Sequence, residues 1–242
     1  MAQYKAIVMN RLFTFGCSFT SYNWSTWADI LGTQATQFQN WGNLGFGNQY
    51  IFNSIFECDQ QNQFTNDDTV LVCWTNIFRE DRYINKWRFS GNLYTQQLYD
   101  AAWVKKFITE RGCLIRDLAY IKAVKILLEQ RQVNWKFLSM APIEQTDQYK
   151  TTSRNPNVDV LTVYQDVIQV ILPSFMEILK DRPRAEIDLH PLPADHLHYL
   201  DMVLPEFAID LETRQKISAE DLQIRAPGYV IPEYYPPVIK RL

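Results

Sequence analysis

The sequence lacks the long apolar runs that membrane spans and export signals require. No stretch approaches the roughly 20 consecutive apolar residues of a transmembrane helix. Residues 1–10 contain neither an apolar core segment nor a small-residue cleavage site, which a secretory signal would need. We therefore expect a protein without membrane contact and with a cytoplasmic location.

Paired cysteines and dense basic charge are also missing. The four cysteines include no Cys-x-x-Cys pair, the spacing typical of zinc sites, so we expect reduced thiols. Lys and Arg total 24 against 27 Asp and Glu, which gives a net charge of −3 with no basic block. Non-specific nucleic-acid binding depends on a dense positive field, so we expect no nucleic-acid partner.

Histidine is scarce, and its few copies are clustered. His190, His196 and His198 are the only three, and they lie close to Asp188 and Asp195. General-base catalysis commonly uses a histidine whose ring is oriented by a carboxylate. A metal site is the rival interpretation, but no His-x-x-x-His pattern or distant cysteine ligand supports it, so we predict no metal. A solvated loop is the simplest alternative.

The length and the apolar content favour one main α/β domain with an extension. The chain has 242 residues, of which 47% are hydrophobic and 14% aromatic, enough to fill a full core. We place the domain at residues 1–203. Residues 204–242 hold most of the late prolines and several tyrosines, so we expect an extended C-terminal tail that packs on its own domain or on a partner subunit.

Apolar runs alternate with segments of helical periodicity along the domain. This order predicts a three-layer α/β/α sandwich with a mostly parallel sheet, whose functional site lies at the carboxyl ends of the strands. The predicted strands are 11–15, 38–41, 69–74 and 135–140. The predicted helices are 25–31 with Ser25 as N-cap, 49–58, two helices within 96–130 separated at Gly112, and 161–179 with a kink at Pro173.

Three segments with possible chemistry follow predicted strands. Ser18 comes after the first strand and Gly16, where a hydroxyl can be presented at the sheet edge. A glycine-rich segment, 40–48, follows the second strand and can expose backbone N–H groups. Asn76 follows the third strand, and its amide could donate to an oxyanion. Each segment alone is equally compatible with an ordinary turn or strand end.

Taken in order, these segments resemble the conserved blocks of SGNH (GDSL-like) hydrolases, which have a flavodoxin-like fold. Gly16-Cys17-Ser18 resembles the first block, with Cys17 where the family usually has Asp. Asn40 and Gly45 match the Asn-x4-Gly spacing of the second block, and Asn76 matches the third, although Ile77 stands where Asp is frequent. Asp188-Leu-His190-Pro resembles the last block, Asp-x-x-His-Pro, shortened by one residue.

The resemblance implies a serine esterase that needs no cofactor. Ser18 would be the nucleophile, His190 the base and Asp188 its partner, with Asp195 and His198 as the alternative dyad. Ser18, Gly45 and Asn76 would form the oxyanion hole. The substrate would be a small-molecule or polysaccharide ester, often an O-acyl group on a carbohydrate, and the tryptophans near the motifs, Trp24, Trp27 and Trp41, would suit either a sugar-facing cleft or the core.

Two other functions remain open from the sequence. The departures at Cys17 and Ile77 favour an inactive SGNH-like module that binds or assembles, with the tail as a contact between subunits. The GCSFT variant of the first block is similar to segments in phage as well as bacterial proteins, so a virion-associated location is the alternative. An O-acyltransferase is the second rival, because it shares the first half-reaction with a hydrolase.

Overall fold

The central feature of the structure is a parallel sheet of four strands. The structure is a computed structural model that describes residues 9–88, 91–94, 99–143, 157–182 and 188–234. The order of the sheet is β2-β1-β3-β6, and all its pairings are parallel. β4 and β5 form a separate antiparallel hairpin. The strands are β1 (Met9–Phe15), β2 (Ala35–Asn40), β3 (Asp68–Trp74), β4 (Arg82–Ile84), β5 (Lys86–Arg88) and β6 (Asn134–Ser139).

Helices cover both faces of this sheet. None of the helices within the described ranges is long and apolar enough to cross a membrane. The helices are α1 (Trp27–Gly32), α2 (Asn48–Asn62), α3 (Ala101–Phe107), α4 (Glu110–Arg131), α5 (Val158–Val163), α6 (Gln165–Ile168), α7 (Phe175–Ile178), α8 (Pro193–Val203) and α9 (Leu211–Ile224).

The strand residues divide the core into two layers by simple alternation. Val70 and Val72 of β3 point into a cluster with α2 and α4, whereas Leu71 and Cys73 point into a cluster with α1, α7 and α8. Every residue of β3 is buried, as expected for a central strand covered on both faces. The predicted α/β sandwich with a mostly parallel sheet is thereby confirmed.

The strand order locates the place where a site is expected. β1 pairs with β2 on one side and β3 on the other, so the chain reverses its direction of winding between β1 and β3. Crevices at such switch points, beyond the carboxyl ends of the strands, are where ligands bind in open α/β sheets. Ser18 follows β1 and Asn76 follows β3, so both lie at this edge.

The prediction of one kinked helix over 161–179 is wrong. The chain forms α5, α6 and α7 instead. Between α6 and α7, Ile171 forms an isolated parallel bridge with Phe137 of β6. Pro173 cannot donate a backbone hydrogen bond, so a continuous helix is disfavoured there, and Ser174 caps the new start at α7 by accepting from the Glu177 N–H.

The expectation of an extended tail is also wrong for its first part, which forms α9. Asp210 caps this helix by accepting the Thr213 N–H at 2.7 Å, and Ile217 and Ile224, seven residues apart, bury one face. This spacing is helical, and the prolines that suggested an extended chain lie outside the helix. The boundary between 203 and 204 stays a prediction, and residues 235–242 lie outside the described ranges.

Two helix starts differ from those expected. α1 begins after Thr26 rather than Ser25, because the Thr26 N–H and hydroxyl both donate to Asp29, in the first turn. Gly112 does not separate the two helices that follow the hairpin. It lies in the first turn of α4, where its N–H donates to the Thr109 cap, and the break comes before that cap.

Candidate active site

Ser18 lies in a tight turn directly after β1. The carbonyl of Cys17 accepts the N–H groups of Thr20 and Ser21 at 2.9 and 3.1 Å, which curls the chain around Ser18. Gly16 makes this turn possible, because a Cβ there would lie 1.9 Å from the Thr20 hydroxyl. The turn thus holds the Ser18 side chain at the edge of the sheet.

The structure brings Ser18, His190 and Asp188 into one chain of hydrogen bonds. The Oγ of Ser18 lies 3.0 Å from Nε2 of His190, although 172 residues separate them. Nδ1 of His190 lies 2.6 Å from Oδ1 of Asp188, which also accepts the backbone N–H of His190 at 2.8 Å. A carboxylate that bonds the backbone two residues ahead forms a local turn, so the shortened Asp-x-His spacing still places the two side chains together.

Tyr22 is a member of this group that the sequence motifs do not indicate. Its hydroxyl donates to Oδ2 of Asp188, the oxygen that His190 does not use. Its ring stacks on the imidazole of His190 with centroids 4.1 Å apart and planes 22° apart. Tyr22 is four residues from Ser18 but 166 from Asp188, so no local pattern could have identified it.

The surroundings keep the Asp188 carboxylate charged. Burial alone would raise the pKa of Asp188, but the hydrogen bonds from Tyr22 and from the ring and backbone of His190 outweigh that effect, and the pKa lies below its ordinary value. Asp188 is thus an anion that can orient an imidazole and stabilise its protonated form.

His196 occupies a different environment from His190. Its side chain is buried between Phe19 and Phe175, and burial lowers its pKa to about 3. The ring is therefore neutral. This environment suits a packing residue of the core.

The alternative dyad, Asp195 and His198, is not joined in the structure. One oxygen of Asp195 accepts from Nε of Arg182 at 2.5 Å, and the other accepts the Leu192 N–H at 3.1 Å ahead of α8. Both oxygens are thus used by groups other than an imidazole. Asp195 caps α8, and the structure brings Ser18 to His190 rather than to His198.

The segment after β2 is tied to the Ser18 turn at two points. The Asn40 amide donates to the Thr20 carbonyl at 2.8 Å, and its oxygen accepts the Gly42 N–H. The N–H of Asn43 donates to the Gly16 carbonyl at 3.1 Å. Gly45 then adopts a φ of 83°, in the left-handed region that glycine tolerates best.

The segment after β3 is held by a buried asparagine that the motifs do not indicate. Asn48 donates to the Thr75 carbonyl at 3.0 Å and accepts the Thr75 N–H at 2.8 Å, and its amide also donates to the buried Asp117. The next residue, Asn76, accepts the Phe78 N–H with its side-chain oxygen. This bond leaves the Asn76 amide nitrogen as the end of the side chain that can donate to a ligand.

The tryptophans near the motifs pack in the core. Trp24, Trp27 and Trp41 are exposed by 4%, 0% and 1%, and the indole N–H of Trp24 donates to the Pro191 carbonyl. They therefore do not form a platform for a sugar, and Trp24 instead supports the segment that carries His190.

The described residues contain no group of three or more His, Cys, Asp or Glu side chains arranged to hold a metal ion. The four cysteines are all free thiols and buried. Burial raises the pKa of the Cys58 and Cys73 thiols, so both are protonated and inert as ligands.

Comparison with known proteins finds structural similarity but no sequence match. No family model and no curated protein matches the chain. The structure is similar to the crystal structure of a member of the lipolytic protein G-D-S-L family from Veillonella parvula DSM 2008, with a TM-score of 0.43. The two share 10% sequence identity, and the match covers 79% of this chain and 96% of the other.

Proposed function

We propose that the protein is a serine ester hydrolase of the SGNH type. The observation that carries the proposal is the relay from Ser18 Oγ to His190 Nε2, at 3.0 Å, and from His190 Nδ1 to Asp188, at 2.6 Å. A serine hydroxyl is a weak nucleophile unless a base at hydrogen-bond distance removes its proton. In this group the base is oriented on its far side by a charged carboxylate, as nucleophilic catalysis requires.

The proposed reaction has two half-reactions. His190 takes the proton of Ser18 while Oγ bonds to the acyl carbon of the ester. The alcohol then leaves with the proton held by His190, and an acyl-enzyme remains. A water molecule gives a proton to the same nitrogen while its oxygen bonds to the acyl carbon. The bond between that carbon and Oγ then breaks, and His190 returns the proton to Oγ, which releases the carboxylic acid and restores Ser18.

The oxyanion formed in each half-reaction would be bound by the backbone N–H groups of Ser18 and Gly45 and by the Asn76 amide. Two observations support this set of donors. Gly45 has a φ of 83°, a conformation that glycine tolerates best. The Phe78 N–H donates to the side-chain oxygen of Asn76 and so fixes the orientation of its amide. Removing one such donor typically costs about 3 kcal/mol of transition-state stabilisation.

The substrate class is an ester, with O-acyl carbohydrates as the natural candidates that the family resemblance suggests. The burial of the nearby tryptophans removes the support that the composition gave to a sugar-facing cleft. Short-chain p-nitrophenyl esters and acetylated oligosaccharides should therefore be tested side by side.

The decisive experiment compares the wild-type protein with Ser18→Ala, and with Ser21→Ala as a matched serine control in the same turn. We expect a fluorophosphonate to label the wild type and Ser21→Ala but not Ser18→Ala. We also expect Ser18→Ala to abolish ester hydrolysis, whereas Ser21→Ala should retain it at a reduced rate. Equal hydrolysis by Ser18→Ala would contradict the proposal, whereas labelling together with acyl transfer to an added alcohol in preference to water would indicate an acyltransferase.

A further inference from the structure

The segment that follows α9 returns to the candidate active site. Tyr229 and Ile231 pack against a small cluster that includes Trp24 and Leu192, and Tyr22 packs against the same cluster. Trp24 holds the Pro191 carbonyl, next to His190, so this segment lies against the residues that support the proposed base. We call residues 229–234 the C-terminal strap.

Tyr234, at the end of the strap, joins two loops of the site. Its hydroxyl lies 2.9 Å from Oγ of Ser21 and donates to Oδ1 of Asn43 at 3.3 Å. One hydroxyl thus contacts the turn that carries Ser18 and the loop that carries Gly45, across sequence separations of 213 and 191 residues.

We propose that Tyr234 is a positioning residue, which holds the Ser18 turn and the Gly45 loop at the spacing needed for their backbone N–H groups to bind one oxyanion. The inference rests on the proposed function and extends it to a part of the chain outside the motifs. Tyr234 acts through Ser21, three residues after Ser18, and through Asn43, two residues before Gly45.

Without the Tyr234 hydroxyl, fewer hydrogen bonds would hold the Ser18 turn and the Gly45 loop at a fixed spacing. Two hydrogen bonds, from the Asn43 N–H to Gly16 and from the Asn40 amide to Thr20, join them where they leave the strands. Asn43 lies two residues before Gly45, whose φ of 83° already departs from the common conformations. A hydrogen bond to the Asn43 side chain therefore restrains the loop just before the proposed donor.

A positioning role predicts a specific kinetic effect. Oxyanion donors bind the transition state more strongly than the bound ester, so a loss of their alignment lowers kcat and leaves KM nearly unchanged. A purely structural role would lower thermal stability and leave kcat at moderate temperature as it is.

The test uses the full chain with Tyr234→Phe, which keeps the ring and removes the hydroxyl. Tyr229→Phe is the matched control, because it removes a hydroxyl from the same strap while its ring continues to pack. We expect kcat of Tyr234→Phe to fall about fivefold, the rate equivalent of one hydrogen bond, with KM within about twofold. Tyr229→Phe should retain the wild-type kcat.

Two kinetic results would overturn the proposal. One is an unchanged kcat for Tyr234→Phe with a lowered Tm, and the other is an equal loss of kcat in Tyr229→Phe. The double variant Ser21→Ala with Tyr234→Phe sharpens the test. If Ser21 acts through Tyr234, adding Ser21→Ala should lower kcat by less than it does in the wild type.

A measurement that needs no catalysis separates this inference from the proposed function. In Tyr234→Phe the loop loses the restraint on Asn43, whose backbone N–H donates to the Gly16 carbonyl, so exchange of that amide hydrogen with deuterated solvent, followed by NMR, should accelerate severalfold relative to Tyr229→Phe. Unchanged exchange at Asn43 would overturn the link whether or not the protein hydrolyses esters. Absence of both fluorophosphonate labelling and ester turnover in the wild type would instead refute the proposed function.

Discussion

Tyr22 stacks on His190, with ring centroids 4.1 Å apart, while its hydroxyl donates to the carboxylate that His190 also contacts. A single side chain therefore restrains both members of the proposed His190–Asp188 dyad. It contacts the face of the imidazole, and it bonds the Asp188 oxygen that His190 does not contact. This arrangement limits rotation of the imidazole away from Ser18. The hydrogen bond also draws negative charge on Asp188 away from the oxygen that His190 contacts.

Tyr22→Phe should lower kcat/KM and move the acid limb of its pH profile to higher pH. Loss of one hydrogen bond to the relay costs about 1 kcal/mol, or roughly fivefold in rate. The limb moves because a carboxylate without this donor attracts the imidazolium proton more strongly. Initial rates of p-nitrophenyl acetate hydrolysis between pH 5 and pH 8 would measure both effects.

Tyr22→Leu is the companion variant, since it removes the stacking as well. We expect a larger loss of kcat than in Tyr22→Phe, because the imidazole is then free to rotate. If both variants had the wild-type profile, Tyr22 would have no part in positioning the relay.

Replacing the histidines one at a time tests the identity of the base. His190→Ala should abolish ester hydrolysis, because only His190 contacts Ser18 among the three. His198→Ala should retain activity, because Asp195 is occupied by Arg182 and the Leu192 N–H. Steady-state rates of the two purified variants decide the matter, and an inactive His198→Ala with an active His190→Ala would assign the role to the alternative dyad.

The sequence was informative wherever the signal is local or ordered along the chain. The buried strands follow from short apolar runs, and the order of strands and helices is enough to predict a parallel sheet. Ser18, His190 and Asp188 could be named in advance because each lies in a short motif after a predicted element. The structure then brings these three together, and their catalytic roles stay a prediction.

The remaining parts of the site depend on contacts that leave no local pattern. Tyr22 reaches Asp188 across 166 residues, and Tyr234 reaches Ser21 across 213. α9 was missed because prolines on either side of it dominated the composition of the tail. Trp24, Trp27 and Trp41 show the opposite error, since nearness to a motif along the chain does not indicate exposure in the fold.

Cys17→Ser should leave most of the activity and reduce stability. The Cys17 side chain is fully buried among apolar residues beneath the Ser18 turn, so it does not reach a substrate. A hydroxyl there costs about 1–3 kcal/mol of unfolding free energy unless it finds a partner. Urea unfolding and ester turnover should be compared for Cys17→Ser and Cys17→Ala, and a loss of turnover in both folded variants would give Cys17 a direct role.

The buried His196 predicts a measurable dependence of stability on pH. Burial lowers the pKa of His196 to about 3 in the folded protein, against about 6.5 for an unfolded chain. Below pH 6.5 the unfolded chain binds a proton that the folded protein does not, so stability contributed by the neutral ring falls as the pH falls toward 3. Between pH 8 and pH 5 this linkage removes about 2 kcal/mol from the free energy of unfolding.

Two buried carboxyl groups act in the opposite direction and must be separated from this effect. Burial raises the pKa of Asp81 and of Asp117 to about 6, so the folded protein takes up protons there before the unfolded chain does. The variant His196→Leu keeps both carboxyl groups and removes only the buried imidazole. Urea unfolding at pH 8 and pH 5 should therefore show a loss of stability about 2 kcal/mol smaller in His196→Leu than in the wild type. Parallel losses in the two proteins would mean that His196 is protonated in the folded state, contrary to its burial between Phe19 and Phe175.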